Sequence, residues 1–389
     1  MSFNPLDLFE PDPTKPIASS KPKPYKWLII DGGGLVTTAW ASHRKLDRPE
    51  DRVRAGIYVF IVCLASLCRL VDDGAKVIVC WDGHDNRAFR RGIHPWYKHG
   101  RGSVINRPEV RVIMKELSPL LTSMGVAQVM VDGCEADDMV ATISREVACH
   151  DQTCLIFSDD KDYLQLVDEH IHLMRRSLRG IILTPDQCAL LGILYGQEYL
   201  NVKAIAGDGG DNIRGLIGIG EAKGLKAMKT IPDLIDTARE EPDLVDWEDL
   251  DRNLYRAFVR AGRKLVSPLN PKNCTFAKEF ARKHGLPIPG DIDVPDKISL
   301  RHAGLEIVKC YNLVEMCDTM DYGELKFPQV NLANIPAALR RLELDHEDDL
   351  YSSIYRLAGL RNPSLLTARN TVERAGSALD DEIVPEDMF

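Results

Sequence analysis

Acidic residues stand where short apolar runs stop. Asp31 follows Trp27-Leu28-Ile29-Ile30, and Asp82 follows Val77-Ile78-Val79-Cys80-Trp81. Glu135, Asp137 and Asp138 come just after Gln128-Val129-Met130-Val131. Asp160 and Asp162 come just after Cys154-Leu155-Ile156-Phe157. Asp208 and Asp211 sit in the run Gly207-Asp208-Gly209-Gly210-Asp211-Asn212. Carboxylates gathered in one place repel, and each raises its neighbour's pKa. Divalent cations relieve that repulsion, and oxygen ligands suit magnesium or manganese. Two such ions about 4 Å apart are a standard device for in-line phosphodiester cleavage. One aspartate after a strand is more often a helix cap or turn residue, and Asp132 and Asp159 are assigned that role. Five acidic groups recurring along the chain in this way are harder to explain by capping.

The elements that must position these acids follow from the same pattern. Each apolar run has the length of a buried strand. Longer helical patterns lie between them, at residues 54–71, 109–124 and 136–149. Alternating strands and helices predict an α/β fold with a central, mostly parallel sheet flanked by helices. In such sheets the ligand site lies beyond the carboxyl ends of the strands, which is where the acids fall. From about Thr184 the strand signal fades and glycine-rich turns take over, including the stretch Gly207 to Gly224. Residues 330–375 read as mixed helical and charged.

The 389 residues carry 44 % hydrophobic and 28 % charged side chains, ordinary for a soluble globular protein. The net charge of −9 argues on its face against nucleic acid. Its distribution matters more. From Gly83 to Arg101 the bases Arg87, Arg90, Arg91, Lys98 and Arg101 face one acid, Asp85, while the acidic excess is concentrated after Arg340 and in the carboxylate clusters. None of the ten cysteines forms a C-x-x-C pair, which speaks against structural zinc and for reduced core thiols in a cytoplasmic setting. The apolar run from Gly56 to Val71 contains Arg69 and is too short for a bilayer; it predicts a buried helix and no membrane. The chain lacks the G-x-G-x-x-G and G-x-x-x-x-G-K-[ST] patterns of dinucleotide and NTP sites.

With these residues in view, the chain resembles the 5′-nuclease family of phage 5′-to-3′ exonucleases, flap endonucleases and the N-terminal nuclease domain of bacterial DNA polymerase I. The resemblance runs from about Trp27 to Met228. It rests on Leu28-Ile29-Ile30-Asp31-Gly32, Trp81-Asp82-Gly83, Phe89-Arg90 with Pro95-Trp96-Tyr97-Lys98 and Arg101, Glu135-Ala136-Asp137-Asp138, Ser158-Asp159-Asp160-Lys161-Asp162-Tyr163-Leu164-Gln165-Leu166-Val167, and Gly207-Asp208-Gly209-Gly210-Asp211-Asn212-Ile213 followed by Gly218-Ile219-Gly220. One departure stands out. Gly32-Gly33-Gly34 lacks the polar residue often found after the first aspartate, which puts one contact to that acid in doubt.

The resemblance implies a PIN-like 5′-nuclease core, then a helix-hairpin-helix region, then a mainly helical C-terminal part. The expected boundaries are a disordered tail over 1–25, a core over 26–195 with a basic arch at 84–108, a hairpin region over 196–330, and a C-terminal extension with an acidic tail over 331–389. It implies one metal site from Asp31, Asp82, Glu135, Asp137 and Asp138, and a second from Asp160, Asp162, Asp208 and Asp211. These would hold two magnesium or manganese ions, with a potassium ion at the hairpin. Lys98 and Arg90 would neutralise the reacting phosphate, with Asp160 essential to turnover. Arg87, Arg90, Tyr97, Lys98 and Arg101 would bind the single strand, and Gly218, Gly220, Lys223 and Lys226 the duplex backbone. The expected partner is DNA with a 5′ single-stranded end or flap, bound by a monomer. Leu6, Leu8 and Phe9 are similar to peptides that dock on sliding clamps, although Pro5 replaces the usual glutamine. Two rivals stay open: a ribonuclease H-like enzyme with the same metal chemistry, and a non-catalytic, clamp-tethered binder of DNA structure.

Overall fold

The computed structural model describes residues 25–95, 97–98, 107–178, 180–215, 220–221, 224–225 and 310–362. The clamp-like Leu6, Leu8 and Phe9, together with Arg101, Gly218, Lys223 and Lys226, lie outside the described residues. In chain order the elements are β1 (Tyr25–Asp31), α1 (Gly32–Ser42), α2 (Pro49–Leu67), β2 (Val71–Trp81) and α3 (Ala88–Ile93). Then come α4 (Pro108–Ser123), β3 (Ala127–Met130), α5 (Ala136–Cys149), β4 (Cys154–Phe157), β5 (Ile171–Met174) and β6 (Ile182–Leu183). They are followed by α6 (Pro185–Leu191), α7 (Gly196–Ala206), β7 (Gly207–Asp208), β8 (Ile213–Arg214), α8 (Ile335–Arg341) and α9 (Asp348–Arg361).

These elements divide between two compact units. The first takes the described residues up to Asn86, those within Gly102–Ile193, and those from Cys317 onward; the second takes Arg87–Arg101 and Leu194–Met316.

The first unit is the predicted α/β layer structure. Its sheet has the order β3-β2-β1-β4-β5-β6. The first five strands run parallel, and β6 closes the edge antiparallel to β5. Apolar side chains alternate across it, as the pleat requires. Leu28, Ile30, Val77, Val79, Leu155 and Phe157 share one core with α1, α2, α4 and α9. The intervening Ile29, Ile78 and Ile156, each fully buried, face the opposite side, where α5 packs across the strands. α2 is long and apolar enough to cross a membrane by composition, but Ile57 and Val59–Leu67 are buried in this core, as the sequence predicts.

Three boundaries differ from expectation: Arg87–Arg101 of the arch falls in the second unit rather than the core, residues 317–330 fall in the first unit, and so does the C-terminal segment. Residues beyond 331 were assigned to an extension, yet α9 packs on α2 and β2, and α8 packs on α4. The reason is a stripe that the charged background hides: Leu350, Ile354 and Leu357 recur at helical spacing, and all three are buried.

The second unit, taken by itself, joins α3 and its following turn to α7, to the β7–β8 ribbon and to helical residues 310–314. Tyr97, Ile213, Cys310 and Leu313 form an apolar cluster among its described residues. Gln197 Nε2 donates to the Tyr311 hydroxyl at 2.7 Å.

Candidate active site

β1 pairs with β2 on one side and β4 on the other. The chain winds outward from β1 through β2 to β3, then crosses back to β4 on the other side of β1, which makes the carboxyl end of β1 a topological switch point. Asp31 is the last residue of that strand. It also caps α1, with Oδ1 accepting from the Gly34 N–H at 2.8 Å. Oδ2 accepts from the Ser158 hydroxyl, again at 2.8 Å. The polar contact that the three glycines put in doubt is thus supplied by backbone and by a serine one strand away. Gly34 is required there, because a Cβ at that position would run into the Asp31 carboxylate.

Asp31 is 8 % exposed. Burial pushes its carboxyl up to about 6; the Gly34 and Ser158 hydrogen bonds oppose the rise, and the Asp82 and Asp160 charges add to it. Carboxylates from the ends of β1, β2 and β4 are therefore electrostatic neighbours, as the sequence predicts. Ser158 also receives the Asp160 N–H at 3.0 Å, so one hydroxyl joins the first and fourth acidic groups.

Asp82 follows β2 and accepts the Ala136 N–H at 2.9 Å, which ties it to the first turn of α5. The two loops meet closely. Gly83 donates to the Cys134 carbonyl at 3.0 Å, and a Cβ on Gly83 would collide with the Val131 carbonyl. That approach explains the glycine of Trp81-Asp82-Gly83. Asp132 accepts the His84 N–H at 3.1 Å, and Asp159 accepts from Arg176 and the Ser177 N–H. Both do the structural work assigned to them.

Glu135 stands at the N-terminal boundary of α5 without capping it through its side chain, and is 3 % exposed. Asp137 accepts the Tyr163 hydroxyl at 2.7 Å. Burial, with the Asp137, Asp31 and Asp160 charges, raises that hydroxyl well above its ordinary value, which keeps it a donor. Asp162 donates its N–H to Asp160 Oδ1 at 3.0 Å. Asp138 is buried, and its Oδ1 takes the Cys317 N–H at 2.8 Å. This acid was expected to bind metal; one of its oxygens anchors the returning chain. Ser158 and Tyr163 lie inside recognised motifs, but sequence reasoning gave them no part; only the contacts reveal one.

Among the described residues no three acidic, histidine or cysteine side chains form a ready-made metal cage. The carboxylates are instead turned towards N–H and O–H donors. The chemistry of the set still fits a hard divalent cation, since every donor is oxygen and a buried carboxylate faces two like charges.

The second unit holds Asp208 and Asp211, each beside a lysine. The Lys203 ammonium, 3 % exposed, pairs with Asp208. Burial would raise the Asp208 carboxyl, but Lys203 and the Gly210 and Asp211 N–H groups hold it below its ordinary value. Lys98 lies 3.7 Å from Asp211, and its N–H reaches the Asp211 carbonyl at 3.0 Å. Gly220 is exposed, with nothing within 4 Å of a Cβ there.

Two expectations need correction. Arg90 was assigned to the reacting phosphate. It is 5 % exposed, and its guanidinium donates to the Leu313 and Glu315 carbonyls at 3.1 and 2.9 Å. Tyr97 was assigned to the single strand but is buried in an apolar cluster of its own unit. Both side chains are used to hold the fold. Arg87 points to the Lys98 carbonyl at 3.3 Å.

Residues 26–189 match the family model described as the 5′-3′ exonuclease N-terminal resolvase-like domain. The chain is 26 % identical over 282 residues to a 5′-3′ exonuclease of Buchnera aphidicola, covering 72 % of this chain and 93 % of that protein. It is 28 % identical over 249 residues to the flap endonuclease Xni of Shewanella baltica, covering 59 % and 87 %. It is also similar to the structure of the T5 5′-exonuclease with bound zinc, at 18 % identity and a TM-score of 0.49, over 86 % of this chain and 99 % of that one.

Proposed function

Because the chain belongs to the 5′-3′ exonuclease family, we propose that it is a structure-specific, divalent-metal-dependent 5′ nuclease. It cuts DNA at free or displaced 5′ ends, leaving a 5′-phosphate and a 3′-hydroxyl. The observation that carries this reading is the buried Asp31 carboxylate at the switch point, facing the Asp82 and Asp160 charges. A protein has little reason to keep that arrangement without a cation to complete it.

Asp31, Asp82, Glu135, Asp137 and Asp138 would hold one ion, and Asp160, Asp162, Asp208 and Asp211 a second, magnesium or manganese in each case. When bound, the ions supply hydroxide at neutral pH and neutralise the leaving 3′ oxygen. The chain's own residues do the positioning. Ser158 fixes the Asp31 carboxylate and the Asp160 backbone relative to one another. Tyr163 fixes Asp137. Lys98 is the base from the arch segment that neutralises phosphate charge, with Arg87 and Arg101 along the single strand. Gly218, Gly220, Lys223 and Lys226 hold the duplex backbone, with potassium at the hairpin. Leu6, Leu8 and Phe9 dock on a sliding clamp, in the cytoplasm of a bacterium or phage-infected cell.

The test is a duplex with a 5′ single-stranded flap, labelled at both ends, in magnesium and then in excess chelator. Magnesium-dependent release of short 5′ fragments is expected, and Asp160→Asn abolishes it while melting normally. Tight binding without cleavage identifies a structural binder. Cleavage confined to an RNA-containing strand identifies a ribonuclease.

A further inference from the structure

The chain re-enters the first unit at Cys317, and over 317–332 it forms neither helix nor strand. The start of this segment lies along α5. Asp138, Thr142 and Glu146 stand four residues apart on that helix, one above the other on a single face, and each holds the segment. Asp138 Oδ1 accepts the Cys317 N–H at 2.8 Å. The Thr142 hydroxyl accepts the Met320 N–H at 3.2 Å and shares its proton between the Asp138 carbonyl at 2.8 Å and the Cys317 carbonyl at 3.3 Å. Glu146 accepts the Tyr322 hydroxyl. Asp138 and Thr142 are both buried, so little water competes for the first two of these attachments.

We infer that Thr142 is a positioning residue for the first metal site, acting through the Cys317 N–H on the Asp138 carboxylate, a step that rests on the nuclease reading above. A carboxylate that binds a cation is oriented beforehand by hydrogen-bond donors on its own oxygens. The donor here is a backbone N–H in a segment without secondary structure, so it stays in place only if the segment is gripped. Thr142 grips it twice, at the Cys317 carbonyl and at the Met320 N–H. An acid is an odd choice if a clip is all that is needed. A buried carboxylate costs more than a neutral acceptor, and Thr142 and Glu146 already fasten the chain. Joined in this way, the carboxylate and the segment are linked, and what fixes one favours the other. A cation at Asp138 therefore tightens the Cys317 N–H, and loss of the Thr142 hydroxyl loosens the cation.

The experiment uses the full chain without DNA and reads amide hydrogen exchange over 317–322 and calorimetric titration with magnesium. Magnesium should slow exchange of the wild-type Cys317 N–H relative to excess chelator. Thr142→Val keeps the side-chain shape and removes the hydroxyl. It should speed exchange over 317–320 and weaken magnesium binding about tenfold, and Thr142→Ser should restore both. Tyr322→Phe should speed exchange at the far end of the segment and leave magnesium affinity unchanged. Wild-type magnesium affinity in Thr142→Val, or an equal loss in Tyr322→Phe, makes Thr142 a structural clip and overturns the assignment. So does wild-type Cys317 exchange that magnesium speeds or leaves alone, a result that needs no variant to fold. A protein that shows the coupling but never cuts a flap in magnesium loses the nuclease reading and keeps the positioning role. One that cuts while magnesium leaves Cys317 unmoved loses only the positioning role.

Discussion

Ser158 and Asp31 are joined by a 2.8 Å hydrogen bond from the turn after β4 to the end of β1. The same hydroxyl receives the Asp160 N–H. One small side chain thereby sets the spacing of two acidic groups that lie far apart in the chain. Ser158→Ala removes a donor from a buried carboxylate and an acceptor from a backbone N–H. We expect a loss of about 1–3 kcal/mol in urea unfolding, together with a 10- to 100-fold weaker response to magnesium. Unchanged magnesium dependence would mean that Ser158 is purely structural.

Asp31 makes the metal-free protein pay for its site in stability. Its carboxyl is raised from 3.8 to about 6 by burial first. The folded state therefore prefers the protonated acid. That preference favours folding fully below about pH 4, and it is lost as the pH rises through 6. Asn at this position stays neutral at every pH. In chelator, Asp31→Asn should exceed the wild type by at most about 3 kcal/mol above pH 6, with the advantage vanishing near pH 4. Magnesium should raise the melting temperature of the wild type and leave that of the variant unmoved. Scanning calorimetry across pH 4–8 checks both signs.

Arg90 and Lys98 should separate cleanly. Arg90 is buried on two backbone carbonyls, so Arg90→Gln orphans them. The expected result is faster proteolysis of the second unit and a cleavage defect that follows the loss of fold. Lys98→Ala should melt as the wild type does and lower turnover more at saturating flap than it lowers binding. Equal melting of the two variants would return Arg90 to the phosphate.

Gly83→Ala places a methyl group against the Val131 carbonyl. The loops after β2 and β3 would have to part, moving Asp82 away from the Ala136 N–H. A loss of about 2 kcal/mol or more is expected, with cleavage falling further than the change in stability explains. Near-normal activity would show that the two loops need not meet.

The sequence revealed the acids of the first unit because each ends an apolar run of strand length, and a parallel sheet leaves such ends on one edge. It did not reveal α1, which opens on three glycines; Asp31 starts that helix by capping it, a tertiary choice rather than a propensity. β5 and β6 were missed because four and two residues carry too little pattern. The arch was read by composition, and composition does not say which way a side chain turns. Arg90 and Tyr97 turn in, and Phe89 turns out. The contact of Asp138 with Cys317 spans 179 positions and leaves no local trace.

The return of the chain at Cys317 has a consequence for synthesis. The first unit's apolar core contains Leu350, Ile354, Leu357 and Leu360, and Asp138 waits for the Cys317 N–H. A ribosome releases these partners only after the whole second unit has emerged. Until then α2 and β2 lack their cover, and the nascent chain carries an open apolar surface on the longest of its described helices. Contacts this distant close slowly. The enzyme therefore matures late, and a chain cut short before α9 would bring chaperones an exposed core rather than a smaller nuclease.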